Sequence, residues 1–417
     1  MNKILIIYPH WMPSNLVGAQ RSRLLANSLP ELGWETHILA VHPDFYEEPS
    51  VPELTKLVKP SVNVHFVDAK PITSKKRMVG DLALRAYKQL KNKAIEIIKE
   101  EKIDFFWLPI PSYYNALLGR PIHKATSVPF GIDYIDPWVD GFPGQEKVLS
   151  KAWLANHLAK VLEPWAVKKA SLITGVAHEY YAPVLKRNFP NGNMEHCAMQ
   201  YGFDPFDYTV EIKPQEELWD QNTKALIYAG AFLPKSHLFI QLLFKGIAEL
   251  KEENRLPDNL HLYFVGTGKY KDKSILDYAN EFEISELVTE KRERISYLEI
   301  LNLLKRAFGV MVIGSTEKHY TASKVFQGLL SKTPVFSIFH KESDAARILK
   351  EINADTYLSS YYPEISQSDL FLTIKENFHN LASQNIEWKP NLEALRPYSA
   401  KASAEKLINS INNVINL

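Results

Sequence analysis

Short apolar runs, each followed by a helix-patterned stretch, recur along the 417 residues and constrain this chain more than anything else in it. Lys3-Ile-Leu-Ile-Ile-Tyr8 is the first. An apolar run of that length without polar alternation suits a strand buried on both faces of a parallel sheet. From Ala19 to Leu32 the spacing is helical, with Leu24, Leu25, Ala26 and Leu29 on one side and Gly33 as the stop. Glu35 to Val41 reads as the next strand. Strand, loop, helix, strand is the unit of a doubly wound sheet.

The alternation continues. Strands are expected at 62–67, 104–108, 130–134 and 172–176, with helices at 81–101 and 151–170. A turn-rich Gly202-Phe-Asp-Pro-Phe-Asp leads into a polar stretch at 209–222, the expected domain boundary. A second alternation then begins. Strands are expected at 225–230, 260–265, 308–313 and 334–338, and helices at 237–250, 297–306, from 323, and 400–415. The expected fold class is α/β, with two doubly wound Rossmann-like domains facing each other across a cleft. Residues 1–210 would form the first domain, 211–395 the second, and 396–417 a terminal helix packing back on the first. Ligands are expected at the strand carboxyl ends.

Composition excludes several classes. Forty-nine Lys and Arg against 48 Asp and Glu leave a charge of +1, against the basic face of a nucleic-acid binder. One cysteine, Cys197, excludes a disulfide scaffold and fits a reducing compartment. The opening apolar run ends at Pro9 with no cleavage-site pattern, so it does not read as a signal peptide. No stretch approaches the roughly 20 apolar residues of a membrane span. The expectation is a cytoplasmic protein. There is no Cys/His ligand cluster, no His-Glu-x-x-His, no Gly-x-Ser-x-Gly and no Walker loop.

Six segments carry possible chemistry: Gly18-Ala-Gln-Arg21, Asp133-Tyr-Ile-Asp136-Pro-Trp138, Gln200-Tyr-Gly-Phe-Asp204, Tyr228-Ala-Gly230, Phe264-Val-Gly-Thr-Gly268, and Tyr320-Thr-Ala-Ser-Lys324 through Lys332-Thr-Pro-Val335. In that order, and over nearly the whole chain, they resemble GT-B glycosyltransferases, most of all family 4, which is retaining and sugar-nucleotide-dependent. The resemblance implies a nucleotide-sugar donor (UDP- or GDP-sugar) as co-substrate, bound mainly by the second domain. It also implies a glycan or lipid-linked acceptor at the first domain, and no metal. The setting it suggests is surface polysaccharide or glycolipid assembly.

Residue roles follow from chemistry and resemblance together. Gly18 at a helix start lets a ligand approach backbone N–H groups, and Arg21 would face donor phosphates or the acceptor. Asp136, held extended before a proline, would bind sugar hydroxyls or act as base; an Asx-turn or cap is the structural alternative. Trp138 would stack on a sugar or pack. His178, after a strand end, is a candidate base, as is His10; lone histidines are also often structural.

In the second half, the resemblance places a glycine and two cations on the diphosphate. Gly230 is present, Ala231 replaces the arginine, and Lys235 is left as a cation. Gly266-Thr-Gly268 is no dinucleotide fingerprint, because Lys271 stands where a third glycine belongs. Gly266 is read as a close-approach turn. Thr321, Ser323 and Lys324 at a helix start would bind pyrophosphate. The resemblance expects two glutamates eight positions apart here. Gln327 occupies the ribose-binding position and His319 the other, with Glu317 two residues off. The alternatives are a GT-B-shaped binding or scaffold protein without turnover, and a nucleotide-sugar epimerase. Residues 70–99 carry nine Lys and Arg against two acids, a net +7, and are expected to offer peripheral membrane contact.

Overall fold

A computed structural model describes residues 1–71, 81–139, 150–212, 216–232, 235–268, 273–316 and 323–415. The chain divides into two compact units, Met1–Asp204 with Pro397–Leu417, and Pro205–Arg396.

The first unit holds a seven-stranded parallel sheet among the described residues. Its strands are β1 (Lys3–Ile7), β2 (Glu35–Val41), β3 (Val62–Val67), β4 (Phe105–Ile110), β5 (Phe130–Tyr134), β6 (Leu172–Gly175) and β7 (Glu195–Ala198), in the order β3-β2-β1-β4-β5-β6-β7. β1 pairs with β2 and with β4, so Ile6 sits between Ile38 and Trp107. β4 and β5 are buried at every residue, the environment that the unbroken apolar run of β4 demands; β5 places one charge there, Asp133. β3, at the edge, is buried only at Val62 and exposed at Asn63 and Phe66.

The second unit repeats the plan with six parallel strands. They are β8 (Lys224–Ala229), β9 (Leu260–Val265), β10 (Val288–Lys291), β11 (Gly309–Ile313), β12 (Val335–His340) and β13 (Tyr357–Tyr361), in the order β10-β9-β8-β11-β12-β13.

The expected elements are present, with local differences. The first helix covers Val17–Ser28; Pro30, which has no N–H to continue it, opens a separate 3-10 turn ended by Gly33 at φ 81°. The long helix expected over 81–101 breaks at Ala86 into Leu82–Arg85 and Tyr87–Glu101. The division between units falls earlier than 209–222. Phe203 accepts a hydrogen bond from Ala400 N at 2.9 Å, which holds it to the C-terminal helix Ala400–Ile415. Beyond Pro205 the chain is tied to the second unit. Tyr297 donates to Asp207 at 3.0 Å, Asn302 to the Val210 carbonyl at 3.4 Å, and Trp219 lies 4.9 Å from the Tyr263 ring.

Arg21 takes a role different from the expected one. It is 0% exposed, and its guanidinium grips Asp133 twice, Nε to Oδ2 at 2.6 Å and Nη2 to Oδ1 at 3.0 Å. It also donates to the carbonyls of Met199 at 3.1 Å and Gln200 at 3.0 Å. Thr174 gives Asp133 a further hydrogen bond at 2.7 Å. Both charges are spent internally, so Arg21 does not meet a ligand. Removing one partner strands a buried charge, which costs about 3–5 kcal/mol. Arg21→Met should therefore lower stability by about that amount in urea unfolding. A loss below about 1 kcal/mol would show the pair to be dispensable.

Candidate functional site

In both sheets the strand order reverses beside the first strand, between β1 and β4 and between β8 and β11. Ligands of doubly wound sheets bind outside the carboxyl ends at such switch points.

In the first unit a cavity of about 380 Å³ opens there, and Tyr8, His10, Gly18, Asp81, Ser112 and Asp136 are among its lining residues. Tyr8 and His10 leave β1, Ser112 leaves β4, and Asp136 leaves β5. Gly18 belongs to this wall for a steric reason. A Cβ on it would lie 2.1 Å from the Tyr8 hydroxyl, so only glycine lets the Tyr8 ring lie across the helix start. Asp81 caps the Leu82–Arg85 helix, accepting from Leu84 N at 3.2 Å, and Ser112 donates to it at 3.2 Å. Burial raises the Asp81 carboxyl above its ordinary value, against those hydrogen bonds. Asp136 is exposed at the cavity rim, and partial desolvation also raises its carboxyl.

The β1 exit loop is braced from behind. Glu48 Oε1 lies 2.9 Å from His10 Nδ1 and accepts from Ser14 Oγ at 2.5 Å. Tyr46 accepts from Trp11 N at 2.7 Å and donates to the Val41 carbonyl at 2.8 Å. Burial pushes the Glu48 carboxyl up, but the His10 and Ser14 hydrogen bonds outweigh it and hold Glu48 at about 2.

Two expected residues lie elsewhere in this unit. His178 starts the helix His178–Asn188, exposed, with its ring 5.2 Å from Tyr181 and 6.0 Å from His196. It does not line the cavity, because it follows β6, two strands from the switch point. Trp138 is 8% exposed and stacks on Tyr113 at 5.9 Å, which makes it a packing residue.

The second switch point is built from glycines and a lysine. Gly230 follows β8 at φ 136° and Gly266 follows β9 at φ 70°, both conformations that favour glycine. A Cβ on Gly266 would stand 3.9 Å from the Gly230 Cα, and a Cβ on Gly230 would stand 2.4 Å from Lys324 Nζ. Lys324, in the helix Ser323–Leu330 that follows β11, thus lies across Gly230. Its ammonium is 3.5 Å from Tyr228 Oη and from the Ala231 carbonyl, and 5.0 Å from the Tyr228 ring centre. No carboxylate among the described residues pairs with it. Burial pushes this ammonium down to about 8.

Lys235 is exposed beside the β11 exit, its carbonyl accepting from Thr316 N at 3.1 Å. Gln327 sits one turn after Lys324 and accepts Tyr208 Oη on its main-chain carbonyl at 2.6 Å. Thr321 lies outside the described residues, as do Glu317 and His319; Ser323 is the first residue of the helix.

Sequence reasoning passed over Tyr8, Asp81 and Ser112, and gave Tyr228, within Tyr228-Ala-Gly230, no role of its own. Tyr8 and Tyr228 belong to apolar strand runs and read as core. Asp81 before a leucine-rich stretch had a legible signal as an N-cap.

No family model and no curated protein matches the sequence. Solved structures do share its architecture. HepE from Anabaena, in complex with UDP and glucose, superposes with TM-score 0.54 at 13% identity, over 99% of this chain and 100% of that one. Sucrose-phosphate synthase from Thermosynechococcus elongatus gives 0.55 at 14%, over 100% of both chains. A UDP-forming trehalose-phosphate synthase from Burkholderia xenovorans gives 0.55 at 12%, over 99% of both. These neighbours are GT-B glycosyltransferases, and this chain has the GT-B fold.

The Glu48 brace yields a test. A carboxyl held low in the folded state stabilises above its unfolded value of 4.5, and that stability is lost as pH falls from there towards 2. Glu48→Gln should cost about 1–2 kcal/mol at pH 7, with the gap from wild type closing between pH 4.5 and 2. Unfolding curves that differ equally at pH 7 and pH 2 would refute the ionic part of the brace.

Proposed function

We propose that this chain is a glycosyltransferase that moves a sugar from a nucleotide-sugar donor to an acceptor hydroxyl. The observation that carries this reading is Lys324, a desolvated ammonium with no carboxylate partner among the described residues, lying across Gly230 at the switch point of the second unit. A cation left in that condition is complementary to an anion. Gly230 and Gly266 leave the backbone open to it, and the start of the Ser323–Leu330 helix adds free N–H groups.

In this mechanism Lys324, helped by Lys235, Ser323 and Thr321, holds the donor diphosphate. Gln327 offers its neutral amide to the ribose. Negative charge grows on the departing phosphate oxygen as the anomeric C–O bond breaks, and Lys324 stabilises it. The acceptor lies in the first-unit cavity and bonds to the anomeric carbon as its hydroxyl proton leaves. Asp136, its basicity raised by desolvation, accepts that proton or holds the sugar. Positioning with leaving-group stabilisation fits a retaining transfer of the family 4 kind. Surface polysaccharide or glycolipid assembly is the proposed setting.

The test is a thermal-shift screen with UDP, GDP, ADP, dTDP, CDP and CMP. A ligand at 100 times its Kd adds about 2.7 kcal/mol. One nucleotide should shift the protein, and Lys324→Ala should abolish the shift while keeping the fold. Because the free ammonium titrates at about 8, affinity for that nucleotide should fall about tenfold between pH 7 and pH 9. Lys324→Arg, which keeps its charge, should show no such fall. A flat wild-type profile would remove Lys324 from the phosphate site. Consumption of donor without any acceptor would favour an epimerase.

We further propose that a lipid-linked acceptor is reached from an anionic membrane surface. Of the basic stretch 70–99, Lys75, Lys76 and Arg77 lie outside the described residues, and Arg85 is buried. More support comes from the helix Lys151–Val167. Leu154, Leu158, Val161 and Trp165, spaced by four, three and four, are 54, 46, 70 and 41% exposed. The only acid on that helix, Glu163, is fully buried and paired with Arg187, whereas Lys160, Lys168 and Lys169 face solvent. Apolar insertion plus about 1 kcal/mol per nearby cation fits such a surface. Leu158→Glu with Val161→Glu should weaken co-sedimentation with phosphatidylglycerol vesicles at least tenfold, and unchanged binding would exclude this face.

A further inference from the structure

The first-unit cavity differs in charge from the nucleotide site, and the difference defines its ligand. Its wall carries the carboxyls of Glu47, Asp81 and Asp136. Arg85 also lines it, but that guanidinium is committed to the Lys70 carbonyl at 2.9 Å, the Phe45 carbonyl at 3.2 Å and Glu47 at 3.5 Å. A second, independent feature is Tyr8. It is only 2% exposed, yet its hydroxyl has no hydrogen-bond partner among the described residues. That oxygen is not sealed in the core either, since Tyr8 lines the cavity and is absent from the enclosed unsatisfied groups. Burial raises the phenol far above its ordinary value, so it stays a neutral donor.

We propose that this cavity binds a neutral, hydroxyl-rich sugar ring and excludes sugar phosphates, with Tyr8 and Asp136 as its specificity-determining residues. Neighbouring sugar hydroxyls can donate to Asp136 and to Asp81 while one of them accepts from Tyr8, which satisfies all three groups. A phosphoryl group would meet the Asp81 and Asp136 carboxyls, with Arg85 and Glu47 already paired to each other, and like charges placed together are strongly disfavoured. Ser112 leaves Asp81 a free lone pair after donating to it at 3.2 Å. The volume of about 380 Å³ lies in the range of small-ligand pockets, about 300–1,000 Å³. Calling this ligand the acceptor rests on the transferase reading; the charge argument does not.

The experiment is calorimetric titration of the full chain with methyl glycosides of glucose, galactose, mannose and N-acetylglucosamine, and with glucose 6-phosphate and mannose 6-phosphate. At least one neutral glycoside should bind, and the phosphate of the same sugar should bind at least tenfold more weakly. Tyr8→Phe and Asp136→Asn should each weaken the neutral ligand about tenfold. Both variants should keep the nucleotide-induced thermal shift, which reports on the other unit and on the fold. A sugar phosphate that binds as well as its parent overturns the proposal. So does a complete absence of glycoside binding, or an affinity that neither variant moves. If glycosides bind as expected while no nucleotide does, the transferase reading fails and the cavity assignment stands. The converse pattern fails the cavity alone.

Discussion

The buried Arg21–Asp133 pair is the interaction on which the first unit's site depends. Arg21 lies three residues after Gly18 on the first helix, and Asp133 three residues before Asp136 on β5. Their two hydrogen bonds, 2.6 and 3.0 Å, lock that helix start against that strand exit. The same guanidinium reaches the carbonyls of Met199 and Gln200, and Ser403 on the C-terminal helix donates to Gln200 at 2.9 Å. One desolvated cation therefore gathers four chain segments. An ion pair taken out of water is stable only when every donor finds an acceptor, and that requirement makes the geometry rigid. The cavity inherits the rigidity, since Gly18 and Asp136 stand at its edge.

This pair also marks where sequence reading stops. The periodicity of apolar runs discloses the two sheets, because a strand covered on both faces has no freedom to be anything but apolar. Glycines disclose the turns, because Gly230, Gly266 and Gly268 adopt positive φ. Lys324 is legible as a charge at a helix start. Arg21 is different. Its partner is 112 residues away, and nothing local distinguishes an arginine that pairs internally from one that meets phosphate. Tyr8 fails for the opposite reason. It ends an apolar run and reads as core, and only the missing side chain at Gly18 shows that its hydroxyl turns into a cavity. His178 looked like a cleft residue because it follows a strand, but β6 is not a strand at which the order reverses.

The two units share one topology and divide their electrostatics. At the β8–β11 switch point the charged group is an ammonium whose neighbours are a tyrosine and a carbonyl. At the β1–β4 switch point the charged groups are carboxyls, and the arginine among them is neutralised. Backbone topology supplies a ligand position in each unit; side chains at the strand exits decide which ligand. Six residues at strand exits or helix starts, Tyr8, Gly18, Asp136, Gly230, Gly266 and Lys324, shape these two ends.

Lys324 is also where stability and function oppose each other. Burial, with no counter-ion among the described residues, disfavours its charged form and pushes the ammonium down to about 8. A carboxylate beside it would relieve that cost and stabilise the free protein. It would also compete with any phosphate for the same ammonium. The Tyr228 ring and the Ala231 carbonyl hold the cation in place without neutralising it. In the proposed mechanism the protein keeps a small penalty at the position where an incoming diphosphate would remove it, and binding gains most where the unbound state is least satisfied.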